Sequence, residues 1–484
     1  MKKKFIFIIG VALLSSYSCQ KSLLSPVSQT QVSDQGGQPF ATSDRIVSQV
    51  LGLYRATRNG NTFSGRYQIY NDVKADNWIN SSANSVTAYQ TWTETVGSTS
   101  SEVLNLWNYA YAAINDANLF IDGMATYGNK VVSSTLSANY IAEAKFLRAL
   151  NYYALVEMYC QPYVVNAGAS PGLPLRLKGN SQAGNFDLAP STVAQVFTQI
   201  LADLNDAEKG LPASYADATT NTTRAHVNTA IALKTRVYLA MQQYANVITE
   251  ANKIVSAAAP FKAPSGVANA LQADVTTVFT NYTTTESVFS FPFNTTTETP
   301  GSQSALGDYY YNMGKPGTGE FFLNPQGVIA DPNWKATDKR RSFIYQSTIN
   351  INKYLTKWSL PSPYPDWAPV IRYAEVILNL AEARARLTPL DPQAIALLNA
   401  IRGRSDASTV YTTASFASGD DLIAAIMQER NIELLGEGFK WADLWRLDQP
   451  IPAKGSVKAV APTDPNYIWP MSGNEQQYNK LIGR

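Results

Sequence analysis

The chain of 484 residues is long enough to bury a large core, and its 39 basic and 37 acidic residues nearly cancel. With 16% charged residues and a net charge near zero, nothing in its composition suggests the basic face that nucleic-acid binding requires. Two cysteines and a single histidine, His226, exclude thiolate and imidazole metal clusters, and a His-dependent catalytic triad would have to use that one ring.

The chain opens with Lys2, Lys3 and Lys4, followed by an apolar run over residues 5–14 that is too short to span a bilayer. Small polar residues and then Cys19 follow. This pattern reads as a lipoprotein signal peptide over 1–18, with Cys19 as the lipidated first residue of the mature chain, although Ser16, Tyr17 and Ser18 depart from the usual box before such a cysteine. Removal of the leader leaves 36 basic residues against 37 acidic ones. With Cys19 lipidated, Cys160 has no disulfide partner. Residues 19–42 are rich in Ser, Gln and Val and read as a flexible tether with a mean reach of about 25 Å.

Residues 44–56 carry Ile46, Val50 and Leu53 at helical steps. Residues 59–97 differ in character: Asn, Ser, Thr and Gly surround Tyr67, Tyr70, Asn71, Asp72, Asp76, Trp78, Tyr89 and Trp92, which reads as an ordered, largely irregular insertion. A helical body follows. Leu104, Trp107, Tyr111 and Ile114 mark one helix; Ala142, Phe146, Ala149, Leu150, Tyr153 and Val156 mark the next. Ser191 and Thr192 open a third, with Val196, Ile200 and Leu204 on one side. The stretches 227–241 and 244–255 form a pair resembling a tetratricopeptide unit, and 371–386 with 392–402 form a second. Between the pairs, Phe289, Phe291 and Phe293 alternate as in a strand. Residues 301–324, with Tyr309, Tyr310 and Tyr311, read as a long aromatic loop, and such loops in compact proteins commonly serve function. Residues 451–484 read as loop.

The most informative stretch is 428–446. Ile423, Met427, Arg430 and Leu434 set a helical face with Arg430 in its middle, so the charge of Arg430 must be paired or reach water. Glu429, Glu433, Glu437, Asp443 and Arg446 are close in sequence, and Gly436 and Gly438 offer a helix end. Acids interleaved with arginines stay ionised, so these six residues read as a structural charge network rather than a proton-transfer site.

This stretch resembles the C-terminal signature of the SusD/RagB family of outer-membrane lipoproteins, with Lys440 where the family usually has Arg or His. The run Ala142, Glu143, Ala144, Phe146, Leu147, Arg148, Ala149, Tyr152, Tyr153 is similar to a second family block. The resemblance implies a mostly α fold of tetratricopeptide-type helix pairs with an irregular, loop-rich ligand face and short strands. One such domain would cover 43–484, with scaffold at about 100–260 and 370–447 and ligand face at about 59–97 and 286–369. It further implies a lipid-anchored, surface-exposed protein of the outer membrane. Such a protein captures a glycan and passes it to a SusC-like TonB-dependent transporter, without catalysis, cofactor or metal. A nutrient lid for peptides, as in the RagB branch, is the alternative; a glycoside hydrolase using Asp72 and Asp76 is a lesser one.

A neutral glycan offers C–H faces to aromatic rings and hydroxyl edges to polar groups. The ligand-binding candidates are therefore Tyr67, Tyr70, Asn71, Asp72, Trp78, Tyr89, Trp92, Tyr309, Tyr310 and Tyr311, all in the two insertions.

Overall fold

The computed structural model describes residues 35–482 apart from 302, 313 and 314. The leader, Cys19 and most of the tether lie outside the described residues. The tether's last part is ordered: Gln35–Phe40 form a 3-10 turn, and Phe40 is buried beside Phe120, their ring centroids 5.9 Å apart. This approach needs Gly123, because a Cβ there would collide with the Phe40 ring.

The scaffold is a run of helices in which each packs on its neighbours. Helix α1 (Ser43–Thr57) is capped by Thr42, whose side chain accepts from the Arg45 N–H. It lies against two long helices, α2 (Ser101–Thr126) and α3 (Ser134–Tyr159). Helix α4 (Val193–Gly210) starts at a capping box, with Thr192 and Gln195 bonding each other's backbone. Then come α5 (Val227–Ala240), α6 (Tyr244–Ile254), α7 (Tyr373–Leu387), α8 (Pro392–Ser405) and α9 (Gly419–Glu433). The order of packing runs α2, α3, α4, α5, α6, α7, and α7 also meets α5, α8 and α9. The architecture is thus mostly α, with antiparallel pairs of tetratricopeptide type and a few short strands.

The helical spans agree with the periodicity, and the insertions hold more regular structure than their composition indicates. Residues 59–97 contain a nine-residue helix, α10 (Arg66–Lys74), strand β1 (Trp78–Asn80) and a short turn of helix at Tyr89–Trp92. Every residue of α10 is buried, Arg66, Gln68, Asn71, Asp72 and Lys74 included, so it has no exposed face and hence no period to read. The loop of 301–324 contains a one-turn helix, Leu306–Tyr310, and strand β2 (Phe321–Leu323). Strand β1 pairs antiparallel with β2, Ile79 opposite Phe322, which joins the two insertions. The Phe289 strand is β3 (Ser287–Phe291); all five of its residues are buried, and it pairs with β4 (Ala368–Arg372), which runs straight into α7. A hairpin of β5 (Ile344–Gln346) and β6 (Lys353–Leu355) completes the loop-rich side.

The C-terminal 451–484 segment is less loop-like than its sequence reads, since Gly473–Tyr478 is helical and Trp469 is buried, its N–H donating to the Met158 carbonyl. The hydrophobic core is continuous from Phe40 to Trp469. Among the described residues no helix is long and apolar enough to cross a membrane.

Candidate functional site

The signature stretch forms α9 and the turn behind it. Its inward face is set by Leu422, Ile426, Glu429, Arg430, Ile432 and Glu433, whereas Ile423 and Met427 are only half-buried. The acids take core positions that apolar periodicity assigns to their neighbours. Gly436 and Gly438 adopt φ of +83° and +84° and turn the chain sharply after α9.

Among the described residues, five acids (Glu286, Asp338, Glu429, Glu433, Glu437) meet five bases (Arg340, Lys357, Arg372, Arg402, Arg404) in one buried lattice. Arg340 bridges Glu429 at 2.6 Å and Glu433 at 2.9 Å; Arg372 bridges Glu286 at 2.5 Å, Glu433 at 3.0 Å and Glu437 at 2.6 Å. Burial alone would raise the Glu433 carboxyl, but Arg404, Arg372 and Arg340 outweigh it and hold it far below the usual carboxylate range. A second cluster joins Arg430 to Asp443 at 3.1 Å, and Arg446 to Glu382 at 2.6 Å and to Asp443 at 2.7 Å. Burial opposes ionisation of Asp443 too, yet the two arginines bring it down to about 2. Groups held this firmly in their charged forms tie helices together and do not exchange protons near neutrality.

The ten aromatic and polar candidates are brought together by the fold, but beneath the surface. Trp78 stacks on Tyr310 with centroids 4.3 Å apart, and Tyr310 meets Trp358 at 5.6 Å. Tyr310 donates its hydroxyl to Asp72 at 2.7 Å. Trp92 donates its ring N–H to the Trp78 carbonyl at 2.9 Å. Tyr67 donates to Glu157 at 2.8 Å, Asn71 to the Tyr67 carbonyl at 3.0 Å, and Tyr309 to the Gln303 carbonyl at 2.6 Å. Tyr70 meets Trp469 edge-on, and Tyr311 meets Tyr345. Of the ten, only Tyr89 is half-exposed; the other nine are buried and offer no ring face or polar edge to a ligand. The reason is volume: two insertions without an apolar period fuse by burying their largest rings in each other.

Asp72 is the exceptional acid. Burial pushes its carboxyl up to about 8, against the donors supplied by Tyr310 and the Gly438 backbone. His226, at the N-terminus of α5, is buried as well, and burial lowers its imidazole to about 4, so the ring is neutral. Among the described residues no group of His, Cys, Asp or Glu is arranged to hold a metal ion.

Above the aromatic joint lies a rim that the sequence reading passed over. Glu320 accepts from Ser82 at 3.2 Å, from Asn84 at 3.4 Å and from Thr87, closing the 80–87 turn onto β2. Burial raises the Glu320 carboxyl. Tyr345 and Tyr364 are half-exposed, Tyr364 donating to Asn312 Oδ1 at 2.9 Å. At the β5–β6 tip, Asn350 donates to the Gly317 carbonyl at 3.2 Å, flanked by Ile349 and Ile351, which is 93% exposed. An isolated tyrosine between unlike segments carries no sequence signal for exposure; strand pairing places Glu320 and Tyr345, and the bond to Asn312 places Tyr364.

A family model described as "Starch-binding associating with outer membrane" matches residues 27–239, and a SusD family model matches residues 336–481. A SusD superfamily crystal structure from Bacteroides fragilis superposes with a TM-score of 0.81 at 31% identity, covering 92% of this chain and 100% of that one.

The chain belongs to the SusD/RagB family.

Further relatives agree with that placement. SusD-like protein P38 of Formosa agariphila is 22% identical over 96% of this chain and 95% of its own length. A laminarin-binding SusD-like protein shares the fold, with a TM-score of 0.68 at 20% identity over 91% of this chain and 98% of that chain. The ion lattice and the aromatic joint are therefore described on a SusD scaffold whose loop-rich side carries the rim.

Proposed function

We propose that this SusD-family protein is a glycan-capturing lipoprotein of the outer membrane, anchored through Cys19, that delivers an oligosaccharide to a TonB-dependent transporter. The observation that carries the reading is the match of residues 27–239 to a starch-binding, outer-membrane-associated family. The laminarin-binding structural relative points the same way. The rim supplies suitable chemistry: half-exposed Tyr345 and Tyr364 for C–H faces, with Asn84, Asn350 and Glu320 for hydroxyl edges. The buried aromatic joint holds that rim in place and does not itself meet the ligand.

Catalysis by Asp72 and Asp76 finds no support, because Asp72 is enclosed beneath Tyr310. The exposed Ile349 and Ile351 favour a second reading, in which the rim takes a peptide with apolar side chains.

Retention of the protein in native gels containing neutral polysaccharides tests the proposal, with Tyr345→Ala and Tyr364→Ala beside the wild type. Retention on one polysaccharide, weakened in either variant and without release of shorter sugars, is expected. Absence of retention on every polysaccharide, with binding of an apolar peptide instead, would give the second reading the field.

A further inference from the structure

A second cleft is built by elements outside the rim. The short helix Gly473–Tyr478 and the segment 176–188 enclose it against α2, with a volume of about 450 Å3. That volume lies within the roughly 300–1,000 Å3 typical of small-molecule sites. Two rings stand at its edges, Tyr478 at 73% exposure and Phe186 at 41%.

The walls are fixed in advance of any ligand. Asn115 donates to the Asn180 carbonyl at 3.0 Å and accepts from the Asn180 N–H at 2.8 Å. Asn479 donates to the Leu188 carbonyl at 2.7 Å and accepts from its N–H at 3.0 Å. Arg176 donates to the Phe186 carbonyl at 2.8 Å, which sets the place of that ring, and to Glu475 at 2.8 Å. Among the described residues, Arg176 and Glu475 are the only charges in the lining, and they pair with each other.

We propose that this cleft is an additional glycan subsite for a neutral oligosaccharide of at least two sugar units. Phe186 and Tyr478 cover two sugar faces, and the Asn180 amide with the Arg176–Glu475 pair bonds hydroxyl edges. Its internal neutrality disfavours a uronic-acid polymer, which would require an unpaired cation. The assignment rests on the reading of the chain as a glycan binder.

The test uses the full chain in native gels containing amylopectin, laminarin, xylan or alginate, followed by titration calorimetry with oligosaccharides of the retaining polymer. Phe186→Ala and Tyr478→Ala are compared with the wild type and with the rim variant Tyr345→Ala. Each cleft variant is expected to bind a neutral glycan about fivefold more weakly, the factor equal to roughly 1 kcal/mol of stacking, with an unchanged melting temperature. Wild-type affinity in both cleft variants, with loss only in Tyr345→Ala, would overturn the subsite and leave the glycan reading standing. Retention on alginate alone would overturn the neutral assignment. No retention of the wild type on any polymer would remove the glycan reading and the subsite together.

Discussion

The ion lattice behind α9 and the aromatic joint beneath the rim are both fully buried, yet they solve burial in opposite ways. The lattice holds the Glu433 carboxyl ionised by surrounding it with arginines; the joint keeps Asp72 protonated near neutrality by burial, which outweighs the donor supplied by Tyr310. Their pH responses oppose each other. Glu433 titrates in the folded state below its unfolded value, so its contribution is present above the unfolded pKa and lost as pH falls. Asp72 titrates above its unfolded value, so its contribution is full below about pH 4 and is lost as pH rises toward 8. The lattice thus ties scaffold helices to the loop-rich side by charge, while the joint packs apolar rings around a neutral acid.

Removing one partner of the lattice should do the most damage. Arg372→Met strips a cation from Glu286, Glu433 and Glu437, and the expected loss is about 3–5 kcal/mol in urea unfolding. A loss below about 1 kcal/mol would mean that the remaining bases compensate and the lattice is redundant. Trp78→Ala removes the stack on Tyr310 and should cost roughly 3 kcal/mol, with protease cleavage appearing in 80–87 and 312–320 before the scaffold yields. Simultaneous digestion of scaffold and insertions would erase the distinction between the two regions. Tyr310→Phe keeps the ring and deletes the donor to Asp72, for about 1–2 kcal/mol. Asp72→Asn should remove the loss of stability that Asp72 contributes as pH rises from 4 to 8, a contribution opposite in sign to that of His226; an unchanged slope of thermal stability against pH would show that Asp72 does not titrate there. Tyr478→Ala, on the surface, should stay within about 0.5 kcal/mol of the wild type.

The same contrast explains what the residues disclosed. The scaffold helices have one wet face, so Val196, Ile200 and Leu204 or Ile46, Val50 and Leu53 announce themselves by period. Helix α10 has no wet face and could not. The interleaving showed that the six charges of the signature are paired, but not that they divide: Glu429, Glu433 and Glu437 join Arg340, Arg372, Arg402 and Arg404 from far away in the chain, while Arg430, Asp443 and Arg446 form a separate cluster with Glu382. Eight of the ten ligand candidates are aromatic residues in irregular segments, and such a pattern selects for volume. Volume goes inside whenever two segments can share it, so Trp78 and Tyr310 found each other. The rings left in water, Tyr345, Tyr364, Phe186 and Tyr478, sit singly in dull surroundings with nothing local to distinguish them.

The burial of Phe40 against Gly123 fixes the first described turn of the chain to the helical frame. Any tension arriving from upstream is delivered to α1 and α2, on the stiff helical frame, and bypasses both the rim and the aromatic joint.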